Sequence, residues 1–143
     1  MTQKKGLRTI QTLAESAEAI RSRVVSDQRA ALCEEEQRLE QLRQYRGEYQ
    51  EMSNRSEQGV CIHFVRGRRG FVQKLNEAIE NQRSVVARAT EQLDTYLTDW
   101  RAARAKALSL QKFADRMAMQ EDRRVERREQ IELDDIGRRV TGR

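Results

Sequence analysis

The chain has 143 residues, carries a net charge of +5, is 36% charged and 5% aromatic, and contains no proline. Low mean hydropathy (−0.92) and richness in Glu, Gln, Arg and Ala leave no room for the regular turn chemistry of a sandwich, a barrel or a βαβ enzyme. They favour long uninterrupted helices, because Pro and Gly are the residues that most weaken helix interiors.

The first arm spans residues 1–54. Apolar residues recur at Leu7, Ile10, Leu13, Ala17, Ile20 and Val24 in alternating steps of three and four, the spacing of a heptad seam. Near Gln28 the phase slips, and the pattern resumes through Leu32, Leu39, Leu42, Tyr45, Tyr49 and Met52, as across a four-residue stutter. Gly47 weakens this helix by about 1 kcal/mol relative to alanine without breaking it.

Residues 55–70 form the expected hairpin tip. Gly59, Gly67 and Gly70 are three of the seven glycines in the chain and mark its one clear break. The basic excess sits around it: residues 55–119 hold twelve basic against seven acidic side chains, whereas the flanking segments are balanced. Arg66, Arg68 and Arg69 form a basic tip, joined by Arg55 and offset by Glu57. Such a cluster fits an acidic partner surface or nucleic acid, or a solvated loop.

The second arm, residues 71–119, is cleaner. Steps of three and four from Val72 pass through Leu75, Ile79, Gln82, Val86, Ala89, Leu93, Tyr96, Trp100, Ala103, Ala107, Leu110 and Ala114 to Met117, with Gln82 the one polar residue among them. Glu77, Glu80, Arg83, Arg88, Glu91, Asp94 and Arg101 fall off this stripe, as a solvated face should. Two arms of similar length, about 70 Å each at about 1.5 Å per residue, form an antiparallel αα-hairpin, the smallest arrangement that buries both stripes. Residues 120–143 are a charged C-terminal extension with no tidy seam, frayed by Gly137 and Gly142. The expected fold is all-α, a long antiparallel two-helix coiled-coil hairpin with that extension, forming a single extended unit over 1–143.

No apolar stretch approaches the roughly 18 residues of a membrane helix, and none follows Lys4 and Lys5 as in a secretory signal. Cys33 and Cys61 are too few for a disulfide framework, and in a hairpin turning near residue 62 they lie about 40 Å apart. A reducing cytoplasm is expected. His63 is the only histidine, so Cys61 and His63 supply two metal ligands where a structural zinc site takes four. No phosphate-binding glycine motif is present. No catalytic residue, cofactor or metal is expected, and the chain reads as a non-enzyme. Phe64 and Phe71 near the basic tip resemble a single-strand nucleic-acid binder, but the set is small and lies off any basic recognition helix. Nucleic acid is therefore not an expected partner and ranks third, after a generic cytoplasmic coiled-coil adaptor or chaperone.

Three blocks carry a family resemblance: Phe71-Val72-Gln73-Lys74-Leu75-Asn76-Glu77-Ala78-Ile79-Glu80-Asn81-Gln82 after the glycine-bearing tip, Trp100-Arg101 with the basic run to Asp115-Arg116, and Gln37, Leu39, Leu42, Tyr45 and Tyr49 in the first arm. In these the chain resembles the flagellar type III export family FliJ, with virulence-secretion stalk proteins as distant relatives. The resemblance implies an antiparallel coiled-coil stalk that engages the ring of the export ATPase FliI. It also implies a link from that ring to the membrane export gate FlhA, and the handling of export chaperones. Such a protein is cytoplasmic and peripherally associated with the inner-membrane export apparatus through its partners.

Carried onto this sequence, the gate-contacting stripe is Phe71, Leu75 and Ala78, followed by Gln82 where relatives often carry histidine. Glutamine keeps the hydrogen-bonding capacity and loses the charge option. Only Leu75 of the three lies on the seam, so Phe71 and Ala78 face partly outward. Phe71 either meets a partner or folds back onto Val65 and Tyr49 to close the hairpin end. The stalk's open end, residues 7–24 against about 103–125, carries Arg21, Arg23, Arg104, Arg116, Arg123 and Arg124 as the expected ATPase-ring contacts.

Overall fold

The structure, a computed structural model, describes residues 2–55 and 62–142, the side chains of residues 62–64 excepted. It consists of two helices, α1 (Thr2–Arg55) and α2 (Ile62–Thr141). Local chemistry supports both. Ion pairs one turn apart join Arg38 to Glu35 at 2.9 Å and Arg83 to Glu80 at 3.5 Å. The hydroxyls of Thr9, Thr90, Thr95 and Thr98 each donate to the carbonyl four residues back, which satisfies threonines in helix interiors that otherwise disfavour them. Arg55 closes the last turn of α1, and Arg138 and Arg139 that of α2, where cations complement the helix dipole. The Gly142 amide donates to the Arg138 carbonyl at 2.9 Å and ends the chain's helical ladder.

The helices pair as an antiparallel hairpin. Cross-helix contacts join Glu35 to Gln82, Arg46 to Asn76, Tyr49 to Phe71 and Ser53 to Arg68. Numbers rise along α1 while they fall along α2, as only antiparallel helices allow. The chain divides into two compact units, residues 21–100 and residues 1–20 with 101–143.

The 21–100 unit holds Val25, Leu39, Leu75 and Ile79, the last only 2% exposed. Burying one such side chain stabilises by about 1.5–3 kcal/mol. Among its described residues the other unit buries Ala14 alone; Leu7, Gln11, Ala17 and Glu18 on α1 and Ala103, Ala107, Leu110, Ala114 and Glu121 on α2 are half-buried. From Asp122 to Gly142 every described residue is exposed. α2 has 80 residues against 54 in α1.

The α2 stripe runs as its periodicity predicts, and of its fourteen positions only Met117, at the run-out of α1, is exposed. The first arm departs from expectation. Of the expected positions, Leu7, Ala17, Val24, Leu32, Leu39, Leu42 and Tyr49 are covered, whereas Ile10, Leu13, Ile20, Tyr45 and Met52 are exposed; covered besides are Gln11, Ala14, Glu18, Val25, Gln28, Glu35, Arg46 and Ser53. Apart from Ala17 and Val24 the covered positions keep one heptad phase, in steps of three and four except for a step of seven from Glu18 to Val25 past exposed Arg21, so no stutter occurs at Gln28. Gln11, Glu18, Gln28, Glu35, Arg46 and Ser53 are polar, and of these side chains Glu35 and Arg46 find partners on α2.

The tip is also shorter than expected. Residues 62–70 are helical, so Gly67 and Gly70 lie inside α2, and a Cβ at either would meet open space. Gly137 likewise continues the helix to Thr141. Gly59 and Cys61, and the side chains of His63 and Phe64, lie outside the described residues.

Candidate functional site

At the tip-proximal end of the 21–100 unit, Arg68 and Phe71 of α2 pack on the last turns of α1. Phe71 sits against Tyr49 with ring centroids 4.7 Å apart, and meets Tyr45 edge-on at 6.1 Å. The Tyr49 pair is tilted at 53° and the Tyr45 pair edge-to-face at 77°, arrangements that avoid the face-to-face stack the ring quadrupoles disfavour. The fold-back onto Tyr49 is present, Tyr45 supplies a second ring, and Val65 stands exposed. Phe71 nevertheless keeps 36% of its surface open. The two sequence readings of this side chain are compatible: one side of the ring closes the hairpin and the other faces outward.

The four residues of the expected gate stripe do not form one exposed strip. Leu75 is buried in the hairpin, Ala78 is half-buried, and Gln82 turns inward. The Gln82 amide donates to the Glu35 carbonyl at 3.0 Å and to the Glu35 carboxylate at 2.6 Å, while the other carboxylate oxygen takes the Arg38 guanidinium at 2.9 Å. The one polar residue of the α2 stripe thus bonds across the seam, and the half-covered carboxylate is hydrogen-bonded on both oxygens and charge-paired by Arg38.

The basic tip divides in the same way. Arg68 reaches back to donate to the Ser53 carbonyl at 3.1 Å, a part-buried contact, so it belongs to the seam. Arg66 and Arg69 are exposed. One further cross-helix bond, Arg46 to the Asn76 side-chain oxygen at 3.0 Å, involves residues that periodicity does not single out. A basic residue on α1 and an amide on α2 on facing stripes were the available signal.

The expected ring-contacting arginines are all exposed. Arg21 and Arg23 lie in the 21–100 unit, and Arg104, Arg116, Arg123 and Arg124 lie in the other. Among the described residues no group of three or more His, Cys, Asp or Glu could hold a metal ion, and no helix is long and apolar enough to cross a membrane.

Two antiparallel helices paired over a thin core, with acidic and basic side chains alike on the surface, define the class of coiled-coil proteins. A family described as "Flagellar FliJ protein" matches residues 3–143. The chain is 26% identical over 144 residues to the Flagellar FliJ protein of Salmonella typhi, with 100% of this chain and 98% of that protein covered. The chain therefore belongs to the flagellar FliJ family, which supports a flagellar, export-related role. No solved structure matches it.

Proposed function

We propose that this protein is an accessory stalk and regulator of flagellar protein export, without catalysis of its own. It engages the ring of the export ATPase FliI and links that ring to the export gate FlhA and to export chaperones. It works in the cytoplasm, held at the inner membrane only through its partners. The observation that carries this reading is the family match from residue 3 to residue 143 on a chain folded as a helical hairpin.

Phe71 is the gate contact, with Ala78 beside it on the same face. Leu75 and Gln82 act from behind by holding that face in place. The open side of Phe71, near exposed Arg66 and Arg69, suits a surface combining an apolar pocket with acidic groups. Arg21, Arg23, Arg104, Arg116, Arg123 and Arg124 meet the ATPase ring. Exposed ion pairs are each worth only about 0–1 kcal/mol, so a stalk held by several of them engages without locking.

The test is ATP turnover of the cognate export ATPase with and without this protein at low micromolar concentration. A rise in turnover accompanied by more hexamer is expected. Unchanged turnover, with no co-migration on a sizing column, would sink the regulator reading.

A further inference from the structure

The unit formed by residues 1–20 and 101–143 carries an apolar stripe that the hairpin does not use. On α1, Leu7, Gln11, Ala14 and Glu18 face the hairpin seam. One position before three of these stand Ile10, Leu13 and Ala17, and the same spacing continues to Ile20. Ile10 is 51% exposed, and Leu13 and Ile20 are each 65% exposed. At about 100° per residue, this second stripe is turned roughly a quarter of the way around the helix from the first. A helix with two heptad-spaced stripes so arranged has two helical neighbours, as in a four-helix arrangement. The hairpin supplies only one of them.

Charge identifies the missing neighbour. In a chain that is 36% charged, this face of α1 carries no Asp, Glu, Lys or Arg between residues 6 and 20. Arg8 and Glu15 lie on the opposite side of the helix and Glu18 on the seam side, while Thr9 and Ser16 flank the stripe. Arg21 borders the stripe just beyond Ile20, but along residues 7–20 an acidic or basic partner finds nothing complementary, whereas two identical copies paired antiparallel set Arg21 of one near Thr9 of the other and meet with no like-charge repulsion. Depletion of charge at the centre of a patch is also the compositional mark of a protein interface.

Another occupant within the chain would be the uncovered end of α2, through Val125, Leu133, Ile136 and Val140. Glu129 interrupts that stripe and would be pressed, unpaired, against an apolar face. We infer that the exposed α1 stripe Ile10–Leu13–Ala17–Ile20 is a self-association surface, through which two copies of this chain pair antiparallel about a two-fold axis. In that pairing Ile10 of one copy meets Ile20 of the other, and Leu13 meets Ala17, so the same patch serves both sides. The patch is continuous with the hairpin's own seam through half-covered Ala17, so pairing extends an existing apolar layer. The inference is independent of the export reading, since it needs neither ATPase nor gate.

The experiment is sedimentation velocity on the full chain from about 2 to 200 µM, the range in which so short an interface should dissociate. The expected result is a mass rising from the 16.8 kDa monomer towards its double. A rise in salt from about 0.1 to 1 M should leave this self-association intact, because burial of apolar surface is not screened. The Leu13→Glu, Ile20→Glu pair should remain monomeric throughout, with its dissociation constant weakened by about tenfold or more. Leu13→Gln with Ile20→Gln, which keeps helix propensity, should lose association in the same direction. A monomer at every concentration overturns the inference, as does a dimer that survives both pairs. Loss of dimer on removing residues 122–143 but not in either pair assigns the contact to the end of α2 and also overturns it. A fall in melting temperature of more than about 5 °C in both pairs would place these side chains in the fold and reject the surface.

Discussion

The two units are made of the same two helices yet are held together differently. The 21–100 unit has four of the five buried apolar residues. It also has the cross-helix hydrogen bonds of Gln82, Arg46 and Arg68 and the Phe71 ring contacts. The other unit has alanine at half of its covered positions, buries one side chain among its described residues and leaves whole turns of α2 uncovered. Helix propensity is similar in both, so what separates them is what lies opposite each turn. In proteins most helical stability comes from packing of an amphipathic face. One region is therefore built to hold register, and the other to present surface.

Substitution should make the contrast quantitative. The largest effect is expected for Ile79→Ala, about 2–4 kcal/mol by denaturant unfolding, because that side chain is 2% exposed. Leu13→Ala, on a side chain 65% exposed, should stay within about 0.5 kcal/mol; comparable losses at the two sites would end the comparison. Gln82→Ala should come next, at about 1.5–2 kcal/mol, because it removes two part-buried hydrogen bonds, one of them to a carboxylate. A double-mutant cycle with Glu35→Ala should return a coupling energy above about 0.5 kcal/mol, and additivity would show that the bond does not set register.

Phe71→Ala should cost about 1 kcal/mol, from the ring contacts with Tyr45 and Tyr49. It should weaken gate binding by more than that loss explains. Wild-type affinity for the gate in a folded Phe71→Ala protein would remove Phe71 from the contact. The smallest effects concern glycine. Gly47→Ala meets nothing within 4 Å and should raise stability by about 0.5–1 kcal/mol. Gly137→Ala, equally open but on uncovered helix, should raise helicity by circular dichroism without moving the main unfolding transition.

The two arms differ in how legible they are. On α2 the apolar stripe is nearly pure, so its spacing alone places thirteen of fourteen positions against the partner helix. On α1 apolar spacing points to Leu7, Ala17, Val24, Leu32, Leu39, Leu42 and Tyr49, which are covered, and also to Ile10, Leu13, Ile20, Tyr45 and Met52, which are exposed. A pattern search assigns the seam to the most apolar stripe, and here that stripe is not the one covered in residues 1–20. The glycines mislead for a related reason: Gly67 and Gly70 weaken a helix locally, but packing of Arg68 and Phe71 on α1 outweighs that cost. Of the candidate site, the face of Phe71 and the exposure of Arg66 and Arg69 were readable. The inward turn of Gln82 and Arg68 was not.

The amino-acid sequence alone therefore determines that this protein is helical, that it has two arms, that they run antiparallel, and which stripe of the second arm is covered. Each follows from local chemistry: no proline, one glycine-bearing break and a clean heptad. Tertiary structure alone decides the phase of the first arm. That phase depends on polar partners 47, 30 and 15 residues apart in the chain, and a glutamate or arginine counts as seam or surface only according to what stands opposite it.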